Sequence, residues 1–295
     1  KGADRVRKRP AVIFGSDGIE GCQHSVFEIL SNSIDEAREG FGSEIVVTLF
    51  EDHSIEIEDH GRGIPVDFNK NEGKFNWELV FCELYAGGKY NNAAAQNYEY
   101  SLGLNGLGLC STQYSSEYMD VEIKRDGFVY GLHFEKGENV GGLKKEPYDG
   151  KDIGTKIRWK PDLAVFTDIN ISQEYFFDIM KRQAIVNAGL KFIFRCQAGE
   201  SFEVSEFQYE NGIVDHVKEL VGEDFLTPVQ FWTGEKKVRD RDDKPYYKTK
   251  INIAFAFSNK VSGAEYYHNS SWLEYGGAPE KAVKNAFVYQ IDSYL

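Results

Sequence analysis

No C-x-x-C pair occurs among the four cysteines, Cys22, Cys82, Cys110 and Cys196, which lie far apart. That spacing speaks against a zinc site or a dense disulfide framework and for reduced, mostly buried thiols. Long apolar runs are also missing. Nothing approaches the roughly 18 residues needed to cross a bilayer, and the opening Lys1-Gly2-Ala3-Asp4-Arg5 has no apolar signal-peptide core. A soluble, cytoplasmic chain without a membrane partner is expected. Positive charge is short as well: 34 Lys and Arg against 47 Asp and Glu give a net charge of −13, which argues against a broad nucleic-acid surface. The cluster Arg5-Val6-Arg7-Lys8-Arg9-Pro10 leaves a local basic arm open, although its charges taken alone read as a solvated terminus. What is present is ordinary globular composition, 41% apolar and 27% charged over 295 residues. At roughly 150 residues per domain, that length suits two domains.

Hydrophobic spacing predicts a helix over residues 21–39, ended by Gly40 and Gly42, then strands over 44–50 and 54–58 that form a hairpin. A second helix is expected over 76–85, stopped by Gly87-Gly88, and the polar, small-residue stretch 91–100 reads as a loop. Strands are expected over 119–124, 128–134 and 155–159, a long helix over 172–187 started by Ser172, and a strand over 191–195. Together these read as one layered domain of sheet and helices. A short helix near 214–221 follows, the charged segment 233–250 reads as a surface excursion, and 251–257 reads as a strand of a second domain.

Three clusters carry chemistry. In Phe27-Glu28-Ile29-Leu30-Ser31-Asn32-Ser33-Ile34-Asp35-Glu36-Ala37, Glu28 and Asn32 share a helix face and could hold a metal and a water; taken alone, the pair reads first as solvent-facing. Glu58-Asp59-His60-Gly61-Arg62-Gly63-Ile64-Pro65 ends a strand with a carboxylate acceptor, and its alternate glycines let the backbone approach a flat ligand. A tight turn capped by Asp59 is the plainer reading, and it leaves Arg62 between the glycines unexplained. Ser101-Leu102-Gly103-Leu104-Asn105-Gly106-Leu107-Gly108, preceded by Ala86-Gly87-Gly88-Lys89, offers backbone N–H groups to phosphate ahead of a helix. It lacks the Rossmann spacing and a Walker lysine, which disfavours a βαβ nucleotide site.

In this order the clusters resemble the N, G1 and G2 boxes of the GHKL ATPases, the superfamily of type II topoisomerases, MutL-type mismatch-repair proteins, one chaperone family and histidine kinases. Arg7-Lys8-Arg9-Pro10, Asn32-Ser33-Ile34-Asp35-Glu36-Ala37, Asp59-x-Gly61-Arg62-Gly63-Ile64-Pro65 and Ala86-Gly87-Gly88-Lys89 are similar to the ATPase component of type II topoisomerases, gyrase B or ParE. The resemblance implies ATP and Mg2+ as ligands, Glu28 as general base and Asn32 as magnesium ligand. It implies Asp59 as acceptor of the adenine amino group, assisted through water by Thr155. It sets Asp35, Glu36, Arg62, Gly63, Ile64 and Pro65 around the nucleotide, with Arg62 paired to Glu36. Lys89 would reach the phosphates, and Gly103, Leu104, Asn105, Gly106, Leu107 and Gly108 would form a lid. Leu102, Asn105 and His60 depart from the usual family residues, which touches lid kinetics more than nucleotide binding.

The fold implied is α+β: a GHKL (Bergerat) sandwich over 1–220, then a truncated ribosomal-S5-like transducer domain over 221–295, in which Tyr275-Gly276-Gly277 is similar to a family Gly-Gly. The chain stops before the family's Gln-Thr-Lys loop, and the amino-terminal dimer-exchange arm is expected to be missing or trimmed. The implied function is ATP hydrolysis driving DNA strand passage, with a gyrase A or ParC-like cleavage partner and a nucleotide-dependent homodimer. Contact of this chain with DNA is expected to be weak. The rival readings are another GHKL ATPase, a non-catalytic nucleotide-gated module, which predicts a lost base although Glu28 is present, and a structural domain with coincidental motifs.

Overall fold

The computed structural model describes residues 2–86, 106–239, 241–244 and 246–295. Lys89, Gly103, Leu104 and Asn105, the departure at Leu102 and the loop expected over 91–100 lie outside the described residues. The chain divides into two compact units, residues 1–180 with 190–208, and residues 181–189 with 209–295. Residues 181–189 and 209–220 therefore cluster with the second unit.

The first unit opens with α1 (Gly2–Lys8), α2 (Pro10–Phe14) and α3 (Ile19–Arg38), followed by the hairpin of β1 (Glu44–Leu49) and β2 (Ile55–Asp59). The short pair β3 (Phe68–Asn69) and β4 (Lys74–Phe75) leads to α4 (Asn76–Cys82). Then come α5 (Gly108–Tyr114), β5 (Ser116–Arg125), β6 (Phe128–Glu135), β7 (Glu138–Asn139), β8 (Lys144–Pro147), β9 (Gly154–Pro161), α6 (Gln173–Val186), β10 (Lys191–Ala198) and β11 (Ser201–Phe207). The last turns of α6 belong to the second unit.

One nine-stranded mixed sheet runs β11-β10-β1-β2-β9-β5-β6-β7, with β8 also on β6. β1 and β10 are parallel and β2 is antiparallel to both β1 and β9. Burial alternates along β2 and β9, as period-two strands with one covered face require. The covered face holds Ile55, Ile57, Ile157 and Trp159, and α3 contributes buried Val26, Ile29, Leu30 and Ile34. Each such aliphatic side chain is worth roughly 1.5–3 kcal/mol when fully buried. The architecture is α+β, as expected.

Two expectations change in detail. The basic start is solvated at Arg5, Lys8 and Arg9 but anchored at one charge: α1 buries Val6, and Arg7 donates to the carbonyls of Tyr114 and Ser116 and to Asp162 Oδ2 at 2.5 Å. The anchor is a long-range contact, so a local reading of charge misses it. The segment 233–250 does lie at the surface, but most of it is strand. In the second unit, β12 (Gln230–Val238) and β13 (Tyr247–Phe255) form a hairpin with Lys237 opposite Lys248. Lys248 Nζ meets Glu235 Oε2 at 2.6 Å across the pair, and because both faces are mostly exposed no polar–apolar alternation marks these strands in the sequence.

The second unit also contains α7 (Ile213–Val221), the short pair β14 (Tyr267–His268) and β15 (Ser271–Trp272), and α8 (Gly277–Tyr294). Phe287 of α8 packs edge-on against Phe255 at 5.1 Å between centroids. No helix among the described residues is long and apolar enough to cross a membrane.

Candidate functional site

Helix α3 carries His24, Glu28, Asn32 and Glu36 at successive four-residue steps, a polar ridge along one side of an otherwise buried helix. Asn32 donates its Nδ2–H to the Glu28 backbone carbonyl at 2.9 Å. Because only the amide nitrogen can donate, Oδ1 is turned the other way and left as an acceptor. His24 Nε2 lies 3.0 Å from Glu28 Oε1 and its Nδ1 lies 3.2 Å from the Phe14 carbonyl. Both partners are acceptors, so both bonds are made together by the imidazolium. The Glu28 contact is accordingly the main cause of a raised His24 pKa. On the other side of Glu28 sits Gly108, the first residue of α5, where a β-carbon would overlap Glu28 Oε2. Glycine here lets the carboxylate lie against the helix start.

Asp59, the last residue of β2, faces Thr155 across the β2–β9 register. Its Oδ1 accepts the backbone N–H groups of Gly61 at 3.0 Å and Thr155 at 3.3 Å, and its Oδ2 accepts the Ser33 hydroxyl at 2.7 Å. Burial pushes the Asp59 carboxyl up, while these three donors pull it back and the nearby Glu36 charge raises it again. Thr155 Oγ1 in turn accepts the Ile64 N–H at 3.2 Å, drawing the segment after Asp59 onto β9. Gly154 has φ of +149°, and a β-carbon there would strike the Asp59 carbonyl. The close approach that puts Thr155 beside Asp59 thus depends on glycine.

Arg62 is pinned to Glu36 by three bonds: Nε to Oε2 at 3.0 Å, Nη2 to Oε1 at 2.7 Å and backbone N to Oε2 at 3.1 Å. Its guanidinium lies 4.2 Å from the centre of the Phe41 ring. A bidentate pair stacked on an aromatic ring makes a flat, oriented wall. Asp35 turns to Arg38, whose Nη1 is 4.0 Å away. Gly63 takes φ of +78°, Pro65 is partly exposed, and His60 is exposed. Gly106 and Leu107 lead directly into α5.

A family model described as histidine kinase-, DNA gyrase B-, and HSP90-like ATPase matches residues 18–165, half of the chain. The chain belongs to this ATPase family. Within it, the B subunit of DNA topoisomerase 4 from Enterococcus faecalis is 37% identical over 297 residues, covering 100% of this chain and 41% of the relative. The B subunit of DNA gyrase from Thermotoga maritima is 35% identical over 263 residues, covering 89% of this chain and 40% of the relative. Among solved structures, the 43K ATPase domain of Thermus thermophilus gyrase B, crystallised with an aminocoumarin, matches with a TM-score of 0.68 and 31% identity over 79% of this chain and 59% of that one. The chain spans about two fifths of the length of the two curated relatives.

For a member of this ATPase family, the structure brings together Asp59, Thr155, Glu36, Arg62 and Ile64 at one end of the α3 ridge and Glu28, Asn32 and Gly108 further along it. Sequence reasoning did not single out His24, Ser33 or Phe41. His24 was legible as a third member of the four-residue spacing. Ser33 and Phe41 needed the fold, since their partners are Asp59 and Arg62 on another element.

Proposed function

We propose that this chain binds and hydrolyses ATP as the ATPase part of a type II DNA topoisomerase of the gyrase B and ParE kind. The observation that carries the reading is the α3 ridge. Glu36 and Glu28 are eight residues apart on it, about 12 Å by helical rise, a span that suits a nucleotide running from ring to terminal phosphate. Asp59 takes the adenine amino group at one end, with Thr155 and the Glu36–Arg62 wall holding the ring edge. At the other end Glu28 takes the proton of the attacking water, and His24 holds Glu28 in place. Such a positioned base contributes about 10²–10⁴ in rate.

Asn32 Oδ1, freed by its amide bond, is a hard oxygen donor of the kind Mg2+ prefers. Bound there, the ion would supply charge neutralisation on the phosphates. Gly106, Leu107 and Gly108 would offer backbone N–H groups to phosphate, joined by Lys89, Gly103, Leu104 and Asn105. The relatives are B subunits of DNA gyrase and of DNA topoisomerase 4, names that imply a second kind of subunit; with that goes the wider proposal of a cytoplasmic enzyme, a cleavage partner of the gyrase A or ParC kind, DNA strand passage, closure of two copies on ATP, and a second unit acting as part of a transducer.

ATP turnover by the chain, abolished by chelating Mg2+, and sedimentation as a dimer with a non-hydrolysable ATP analogue are the expected results. A chain that neither binds nor turns over ATP would overturn the reading; a nucleotide-bound monomer would remove the dimer from it. Gly108→Ala should push Glu28 out of place and lower kcat by about 10²-fold, the cost of roughly 1 Å of misplacement. Steady-state kinetics would check it, and an unchanged kcat would separate Gly108 from the position of Glu28.

A further inference from the structure

The Asp59 carboxylate has about four acceptor positions, and the described residues fill three of them. Gly61 and Thr155 occupy Oδ1 through their backbone N–H groups, and Ser33 occupies one position on Oδ2 at 2.7 Å. The position left is the second lone pair of Oδ2, beside the Ser33 oxygen. Ser33 is buried on α3, 5% exposed, so its rotation is restricted by packing. Its single proton is committed to Asp59, and toward a ligand its oxygen offers lone pairs alone.

We infer that Ser33 is a specificity-determining residue: it aims the free lone pair of Asp59 and makes the pocket select a purine with an exocyclic amino group over one with a keto oxygen at the same carbon. The inference rests on the adenine-nucleotide reading proposed above and extends it. An amino group brings N–H bonds to two adjacent acceptors. A keto oxygen brings lone pairs to lone pairs and leaves both acceptors unpaired, which is the circumstance that makes buried polar sites discriminate.

Ser33 acts in the same direction through the charge of Asp59. Burial pushes the Asp59 carboxyl up, and the Ser33 hydroxyl is the largest of the contacts that draw it back. A neutral carboxyl would carry an O–H that a keto oxygen could accept. By favouring the anion, Ser33 withholds that donor from the wrong base.

The test is competition titration of ATP against inosine triphosphate on the wild type, Ser33→Ala, Ser33→Thr and Asp59→Asn. Ser33→Ala should narrow the preference for ATP by about tenfold or more, the worth of one hydrogen bond to a charged group. Ser33→Thr, which keeps the hydroxyl, should retain the preference. Ser33→Cys, with a weak donor of similar size, carries the comparison if the alanine variant is insoluble. Equal weakening of both nucleotides, or an unchanged ratio, in the Ser33 variants while Asp59→Asn loses the preference overturns the role of Ser33 and leaves the pocket standing. An unchanged ratio in Asp59→Asn overturns the adenine reading and this inference with it.

Discussion

Glu28→Ala is expected to lower kcat for ATP by about 10²–10⁴-fold, the range for removing a positioned general base, with ATP affinity changed only a few-fold. The two effects separate because the contacts of Glu28 divide between its side chain and its backbone. Asn32 bonds to the Glu28 carbonyl, not its carboxylate, so the amide that we assign to Mg2+ keeps its orientation in the variant. Asp59, at the end we assign to adenine, touches Ser33, Gly61 and Thr155 and no part of Glu28. What does change is His24, whose raised pKa depends first on Glu28. Without the carboxylate its titration should move down toward an ordinary histidine, visible by NMR even in the absence of nucleotide. Single-turnover hydrolysis and equilibrium binding, measured side by side, check the prediction. A kcat equal to wild type would remove Glu28 from the chemistry.

The parts of this molecule legible in the sequence are those whose cause is local. Alternation marks 54–58 as strand because one sheet face is covered and the other is wet, and the turn Asp126-Gly127 separates the strands read over 119–124 and 128–134. Ser172 announced α6 because a hydroxyl at that position satisfies an early helical N–H, here Tyr175 at 3.4 Å. The Glu28 and Asn32 pair was visible as spacing, but its setting was not. By contrast α1 has one buried residue, Val6, and is held by Arg7 reaching Asp162 far along the chain. The charged strands β12 and β13 hide their period because both of their faces are mostly exposed. Helix α8 has no buried residue, so no apolar stripe marks it. Ser33 is the sharpest case. Its neighbours in sequence say helix, and its meaning lies in a carboxylate brought to it by the packing of α3 on β2.

Asp59→Asn should weaken ATP binding by at least about 10²-fold, with 10⁴–10⁵ as the range known for a pocket built around one polar group. The variant is nearly isosteric, so the argument turns on where its amide must point. Gly61 and Thr155 both donate backbone N–H groups to Oδ1, and these donors will hold the asparagine oxygen at that position. The NH2 group is then forced into the place of Oδ2, facing the Ser33 oxygen and the ligand edge with donors in place of acceptors. An adenine amino group meets donors there, whereas a keto oxygen finds a partner. The preference between ATP and inosine triphosphate should therefore invert as well as shrink. Folding should suffer little, because the substitution removes a charge that burial disfavours. Calorimetric titration of both nucleotides, with a thermal melt of the same preparation, checks all three parts. Unaltered ATP affinity in a well-folded variant would place the nucleotide somewhere other than the end of β2.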